Sequence, residues 1–220
     1  MFSNLFGGVS NLINVDLRFQ KPPMDKKPAL VIVSGSSADV SKIDTMPNGK
    51  IWETGFTHHQ VYSNTLNSLI PLMKWGTPIV GSCYGHHILA RLKGGTIASR
   101  NNFFVGTQEI IPQSYQKRTA QGEIWTIPCY HQDYVADIGK AVPVFSGIGT
   151  DAYNHGLSYY PAAHGISAFT YQGHPEYAVL EPLFTFALDP DLYRLAHRTF
   201  SVSAASHYLT LIGDLVEQYG

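Results

Sequence analysis

The sequence predicts an α/β domain with a largely parallel central sheet. Three observations predict it. Short β-branched apolar runs end in glycine-rich turns, segments of helical period lie between them, and 220 residues suit one large domain. Ala29-Leu30-Val31-Ile32-Val33 is the first such run, and it closes in the turn cluster Ser34-Gly35-Ser36-Ser37. From Thr57 to Trp75 the residues Val61, Leu66, Leu69, Ile70, Leu72 and Met73 recur at helical spacing, and Gly76 stops that helix. Thr77-Pro78-Ile79-Val80 is a second buried strand. It runs into Gly81-Ser82-Cys83-Tyr84-Gly85, and a helix from His86 to Leu92 follows, ended by Gly94-Gly95. Phe103 to Ile111, Glu123 to Pro128 and Gly165 to Tyr171 read as further strands, and Asp191 to Tyr219 as mostly helix. No internal repeat or low-complexity linker interrupts the series, so residues 1–220 are expected to form a single domain.

Composition narrows the function. Charged residues make up only 14% of the chain and the formal net charge is -1, with no basic or acidic block, so the broad attraction that nucleic acid or anionic lipid requires is missing. No segment reaches the ~18 uninterrupted apolar residues of a membrane span. The N-terminal stretch lacks the basic start and clean apolar run of a signal peptide. The two cysteines, Cys83 and Cys129, stand in different local contexts without the pattern of a secreted scaffold, which points to a reducing, cytoplasmic setting. No CxxC pair is present, and adjacent histidines such as His58-His59 and His86-His87 diverge on any regular element. A metal site is therefore not expected.

Cys83 carries the chemistry. A cysteine between two glycines could be a packed core thiol, a metal ligand or a nucleophile. Here it falls at the C-terminal end of a predicted parallel strand, on a sharp turn into a helix. Open α/β sheets bind ligands at that end, strand–turn–helix elbows hold nucleophiles exposed and slightly strained, and helix N-termini favour anions and thiolates. These flanks favour the nucleophile. A nucleophile needs a base. The clearest candidate is His174, delivered by the strand before Gln172-Gly173-His174-Pro175-Glu176, with Glu176 two residues on to orient the imidazole.

Together these residues resemble the class I (triad-type) glutamine amidotransferase superfamily. Gly81, Cys83 and Gly85 match its G-x-C-x-G-x-Q nucleophile motif, and Gln172, His174, Pro175 and Glu176 match its Q-x-H-P-E motif. Val33-Ser34-Gly35-Ser36 resembles the strand and turn that supply half of its oxyanion hole, and Tyr130 to Val135 resembles the H-x-D-x-V stretch of its stand-alone members. The resemblance implies a flavodoxin-like fold, a mostly parallel sheet flanked by helices, and a thioester mechanism with no metal or organic cofactor. It implies Cys83 as nucleophile, His174 as general acid and base and Glu176 as its orienter. It also implies an oxyanion hole from the Ser36 and Tyr84 backbone N–H groups, and substrate contacts at Gly35, His87 and His131. The substrate implied is glutamine or a γ-glutamyl compound.

Two departures stand out. The family motif has Gln where this chain has His87, which leaves room for a γ-glutamyl compound other than glutamine or for a degenerate pocket, and equally for a neutral replacement on the elbow helix. Residues Phe2 to Leu12 resemble the family's first helix and Ile13 to Phe19 its second strand, so the first strand is either missing or rearranged. Three readings follow: a stand-alone γ-glutamyl amidase, the glutaminase subunit of a separate synthase chain, or a non-catalytic relative that binds without turnover. The complete triad disfavours the third.

Overall fold

The computed structural model describes residues 13, 15–17, 19–51, 54–112, 124–147, 154–159 and 168–174. Its elements are β1 (Val31–Val33), α1 (Lys42–Thr45), α2 (His58–Lys74), β2 (Ile79–Ser82), α3 (Tyr84–Leu92), β3 (Thr96–Pro112), β4 (Trp125–Asp137), β5 (Val142–Gly147), β6 (Asn154–Tyr159) and β7 (Ala168–Tyr171). The strands form one seven-stranded sheet in the order β1-β2-β7-β6-β5-β3-β4.

The class is α/β, as the sequence predicts. Strands β1, β2 and β7 run parallel, with Val31 opposite Ile79 and Ile79 opposite Ala168. Beyond β7 every described pairing is antiparallel, so the parallel part is narrower than the sequence reading. The reason lies in chain length. Residues 148–153 and 160–167 are too short for the crossover of a dozen or more residues that parallel neighbours need. Residues Ile13 to Phe19 correct the expectation of a strand. Those described there form a turn, in which the Phe19 and Gln20 N–H groups donate to the Asp16 carbonyl at 3.0 and 2.8 Å. Among the described residues β1 is therefore the edge of the sheet. The expected helices at Phe2–Leu12 and Asp191–Tyr219 lie outside the described residues, as does Glu176.

Strand alternation sorts the core onto two faces. Val33, Ile79 and Ala168 pack with Val61 and Leu69 of α2 and Ile88, Leu89 and Ala90 of α3. Val80, Phe169 and Tyr171, one residue out of step, pack on the opposite face with Ile110, Ile127, Cys129 and Phe145. Strands β2 and β7 are covered on both faces and buried along their whole length, so their polar side chains must be hydrogen-bonded inside the protein, as Thr170 is to His86.

Both long helices are delimited by local chemistry. At the start of α2 the Thr57 hydroxyl accepts from the Gln60 N–H at 3.1 Å, while the Gln60 side chain accepts from the Thr57 N–H at 2.8 Å. This reciprocal cap contributes about 1 kcal/mol. At its end Gly76, at φ +69, donates to the Met73 carbonyl, and Thr77 reaches back to Leu72. That paired closure needs a left-handed residue, which glycine adopts without steric cost. Gly94 and Gly95 end α3 by the same pair of bonds, to Arg91 and Ala90. Among the described residues no helix is long and apolar enough to cross a membrane.

Candidate functional site

The elbow between β2 and α3 has strained geometry. Cys83 lies at φ 50, ψ -102, the one described non-glycine residue with positive φ. A β-carbon there costs on the order of 1–3 kcal/mol, and such strain persists only where the surroundings enforce it. Here they do. The Cys83 N–H donates to the Tyr171 carbonyl at the end of β7 (2.8 Å), and the Cys83 carbonyl accepts from the His87 N–H in the first turn of α3 (3.1 Å). The glycines on either side are required by contact. A Cβ on Gly85 would fall 2.3 Å from the Val33 carbonyl oxygen, and one on Gly81 would fall 2.7 Å from the Gly85 carbonyl. Helix α3 thus starts directly against the backbone of β1, with Cys83 at its tip.

Gly35 shows what meets Cys83. A Cβ at Gly35 would sit 2.9 Å from the His174 ring carbon Cε1 and 3.8 Å from the Cys83 Cβ. The turn after β1, the elbow after β2 and the segment after β7 therefore converge on one point at the carboxyl ends of three parallel strands, where open α/β sheets place their ligand sites. Gly35, Cys83 and His174, chosen from sequence, are brought together. Ser36 lies in the same turn, its hydroxyl accepting from the Ala38 N–H at 3.1 Å. Tyr84 is the first residue of α3. Its phenol is buried near Thr65 (3.4 Å), and burial pushes its ionisation well above the ordinary value, so it stays neutral.

The histidines divide into separate tasks. Strand β7 turns Thr170 and then Gln172 toward α3, where His86 Nδ1 meets the Thr170 hydroxyl at 2.8 Å and His87 Nε2 meets Gln172 Oε1 at 2.9 Å. Both pairs are buried and lock the elbow helix to the strand that carries His174. His87 is thus engaged by the protein. Burial holds its imidazole below the ordinary value, with the Asp133 carboxylate and the Gln172 hydrogen bond opposing that shift. His131 donates from Nδ1 to the Asp133 carbonyl at 2.8 Å on β4, and the neighbouring Tyr130 carbonyl lies 3.9 Å from the Cys83 sulfur. Asp133 is buried and receives the Ser41 N–H (2.9 Å) and hydroxyl (2.6 Å), pinning β4 to the start of α1.

Sequence reasoning left Gln172 without a role of its own, matched Asp133 only as part of the H-x-D-x-V stretch, and gave Tyr130 no role. Gln172 was visible only as a motif match, and its pairing with His87 spans 85 residues with no local signal. Its Nε2 is buried with no hydrogen-bond partner among the described residues. Neither cysteine is in a disulfide. Among the described residues no group of three or more His, Cys, Asp or Glu side chains is placed to hold a metal ion.

His58 and His87 make stability pH-dependent. Burial depresses both below 6.5; around His58, whose Nδ1 accepts from the Asp39 N–H, Asp39 opposes the shift and Lys42 adds to it. The unfolded chain therefore binds protons at a higher pH than the native one. Stability is full above about pH 6.5 and falls as the pH drops from there toward the depressed native values. Melting temperatures measured between pH 8 and 5 are expected to fall on the acid side. His87→Gln is expected to flatten that decline, and an equally steep decline in the variant would remove His87 from the explanation.

No family model matches the chain. Gamma-glutamyl peptidase 5 of Arabidopsis thaliana is 31% identical over a 107-residue alignment that covers 45% of this chain and 40% of that protein. The chain thus spans about two fifths of the length of the curated relative it matches. Among solved structures, a glutamine amidotransferase of Thermotoga maritima superposes with a TM-score of 0.55 at 15% identity, covering 86% of this chain and 96% of that one. The chain has the glutamine amidotransferase fold. The structure of SMU.1228c also superposes, with a TM-score of 0.59 at 15% identity over 90% of this chain and 85% of that one. In this fold the elbow and the turn after β1 lie at the carboxyl ends of the parallel strands.

Proposed function

We propose that the chain is a cysteine-dependent amidohydrolase acting on the side-chain amide of glutamine or of a γ-glutamyl compound. The observation that carries this reading is the meeting of a backbone-strained Cys83 with His174 across Gly35. The likeness to a gamma-glutamyl peptidase and to a glutamine amidotransferase supports the substrate class.

In this reading His174 takes the Cys83 proton and the sulfur attacks the γ-carbonyl carbon. The oxygen gains negative charge, and the Ser36 and Tyr84 backbone N–H groups are the donors assigned to it. The C–N bond then breaks, the departing amine takes the proton from His174, and a γ-glutamyl thioester remains on Cys83. Water, losing its proton to His174, hydrolyses the thioester to glutamate and regenerates the thiol. Glu176 is assigned by its motif to orient His174. Gly35, His87 and His131 are assigned to the substrate side, His87 acting through its bond to Gln172.

The test is a screen of the isolated chain against glutamine, γ-glutamyl dipeptides and γ-glutamyl amines. It should read released ammonia or amine together with the intact mass of the protein. Turnover accompanied by a γ-glutamyl adduct on Cys83 is expected. Absence of both across the panel would overturn the reading.

A further inference from the structure

The turn after β1 carries Gly35 and Ser36, yet little holds it directly. Residues 34–37 are exposed. Among the described residues the hydrogen bonds of Ser34, Gly35 and Ser36 stay within the turn, from the Ser34 hydroxyl to the Gly35 carbonyl at 3.5 Å and from the Ala38 N–H to the Ser36 hydroxyl at 3.1 Å. Two anchors follow in the next few residues. The Asp39 N–H donates to His58 Nδ1 at 2.9 Å. Ser41 donates its N–H (2.9 Å) and its hydroxyl (2.6 Å) to the two oxygens of the Asp133 carboxylate. Ala38 and Val40, beside these anchors, are buried in the core, so a displacement at Ser41 is passed along a packed segment to the turn. Asp133 itself stands on β4 three residues after Tyr130, whose carbonyl is 3.9 Å from the Cys83 sulfur. One short stretch of β4 thus touches the nucleophile at one end and holds the turn at the other.

An oxyanion formed by attack of Cys83 sits on the carbon bonded to the sulfur. A donor assigned to it must therefore keep a fixed distance from Cys83, and Ser36 belongs to a different strand end. Asp133 is at 3% exposure, and a carboxylate is costly to bury unless it is hydrogen-bonded. Both of its oxygens are engaged by Ser41. We propose that Asp133 is a positioning residue: acting through Ser41, it fixes the turn that carries the Ser36 N–H against β4, and so against Cys83. Its carboxylate then serves the turn and not the substrate. The inference rests on the amidohydrolase reading and adds a residue that controls the geometry of the same site.

The experiment measures kcat and KM for the best substrate among glutamine, γ-glutamyl dipeptides and γ-glutamyl amines. Beside them it measures the rate at which iodoacetamide alkylates Cys83, located by peptide mass. Alkylation breaks a carbon–iodine bond and forms no oxyanion, so it reports the thiol independently of the turn. Asp133→Ala is expected to lower kcat about a hundredfold, with KM within about threefold and alkylation within about twofold of wild type. Ser41→Ala, which leaves only the N–H bond, is expected to lower kcat about tenfold. Asp133→Asn keeps an acceptor for the Ser41 N–H and offers the hydroxyl a donor instead, so it is expected to stay within about fivefold of wild type. An unchanged kcat in Asp133→Ala or in Ser41→Ala would overturn the proposal. A rise confined to KM would do the same, by making the carboxylate a substrate contact. Equal losses of turnover and alkylation would also overturn it, because the residue would then act on Cys83 or on the fold as a whole. Should Asp133→Ala not fold, Ser41→Ala and Asp133→Asn carry the same test. No turnover and no Cys83 adduct in the wild-type chain with any of the compounds would overturn the amidohydrolase reading and the positioning role with it.

Discussion

Cys83→Ala is expected to lower γ-glutamyl hydrolysis by about a thousandfold or more while leaving the chain folded, because it removes the atom that the proposed mechanism uses for the covalent intermediate. Cys83→Gly sharpens the test. Position 83 holds a β-carbon at φ 50, ψ -102, where only glycine is at ease. The glycine variant is expected to lose the same activity yet gain about 1 kcal/mol of stability from relieved strain. A cysteine kept for packing would show the opposite, with activity intact and stability reduced by the lost side chain. The measurement is a pair of assays on each variant, turnover of the best substrate and a thermal melt. An active Cys83→Ala protein would end the nucleophile assignment.

Much of this site was legible before any coordinates, and the reason is local. A nucleophile elbow requires small residues within two positions of the cysteine, because the helix must start against a neighbouring strand, and Gly81 and Gly85 record that need directly. Likewise the Thr57–Gln60 cap and the Gly76 and Gly94 closures are written within a turn of the helices they bound. What escaped is long-range. Nothing near Ile13 to Phe19 distinguishes alternation in a strand from alternation through a turn. The bulge that β3 makes at residues 100–103 depends on which residues of β4 lie opposite. The antiparallel half of the sheet also escaped, because apolar runs report burial and not direction.

Gly85→Ala carries the second large effect, this time on the fold. Its added methyl carbon would fall 2.3 Å from the Val33 carbonyl oxygen and 2.9 Å from the Val33 Cβ. The obstacle is strand backbone, which cannot rotate away as a side chain would. Helix α3 and β1 must separate, loosening the contacts among Val33, Ile88 and Leu89 in the core beneath. The expected loss is about 3 kcal/mol, seen as a fall of about 10 °C in Tm. Gly35→Ala makes a useful contrast. Its close contact is the His174 ring, which can swing, so that variant should melt near the wild type while losing activity. A Gly85→Ala protein as stable as the parent would mean that α3 and β1 do not pack as closely as described.

Strand β7 has a consequence for the order in which the molecule assembles. It lies between β2 and β6, joining the parallel strands to the antiparallel ones, yet it follows both in the chain. Ile79 meets Ala168 across 89 residues, and Cys83 receives its backbone acceptor from Tyr171. Closing so long a loop is slow, and its entropic cost is met before the contacts form. The sheet therefore cannot become continuous until its last described strand inserts, and that same insertion carries His174 to the cysteine. A partly folded chain has an elbow without His174 beside it, so under the proposed mechanism Cys83 lacks its base until the two halves of the sheet are joined.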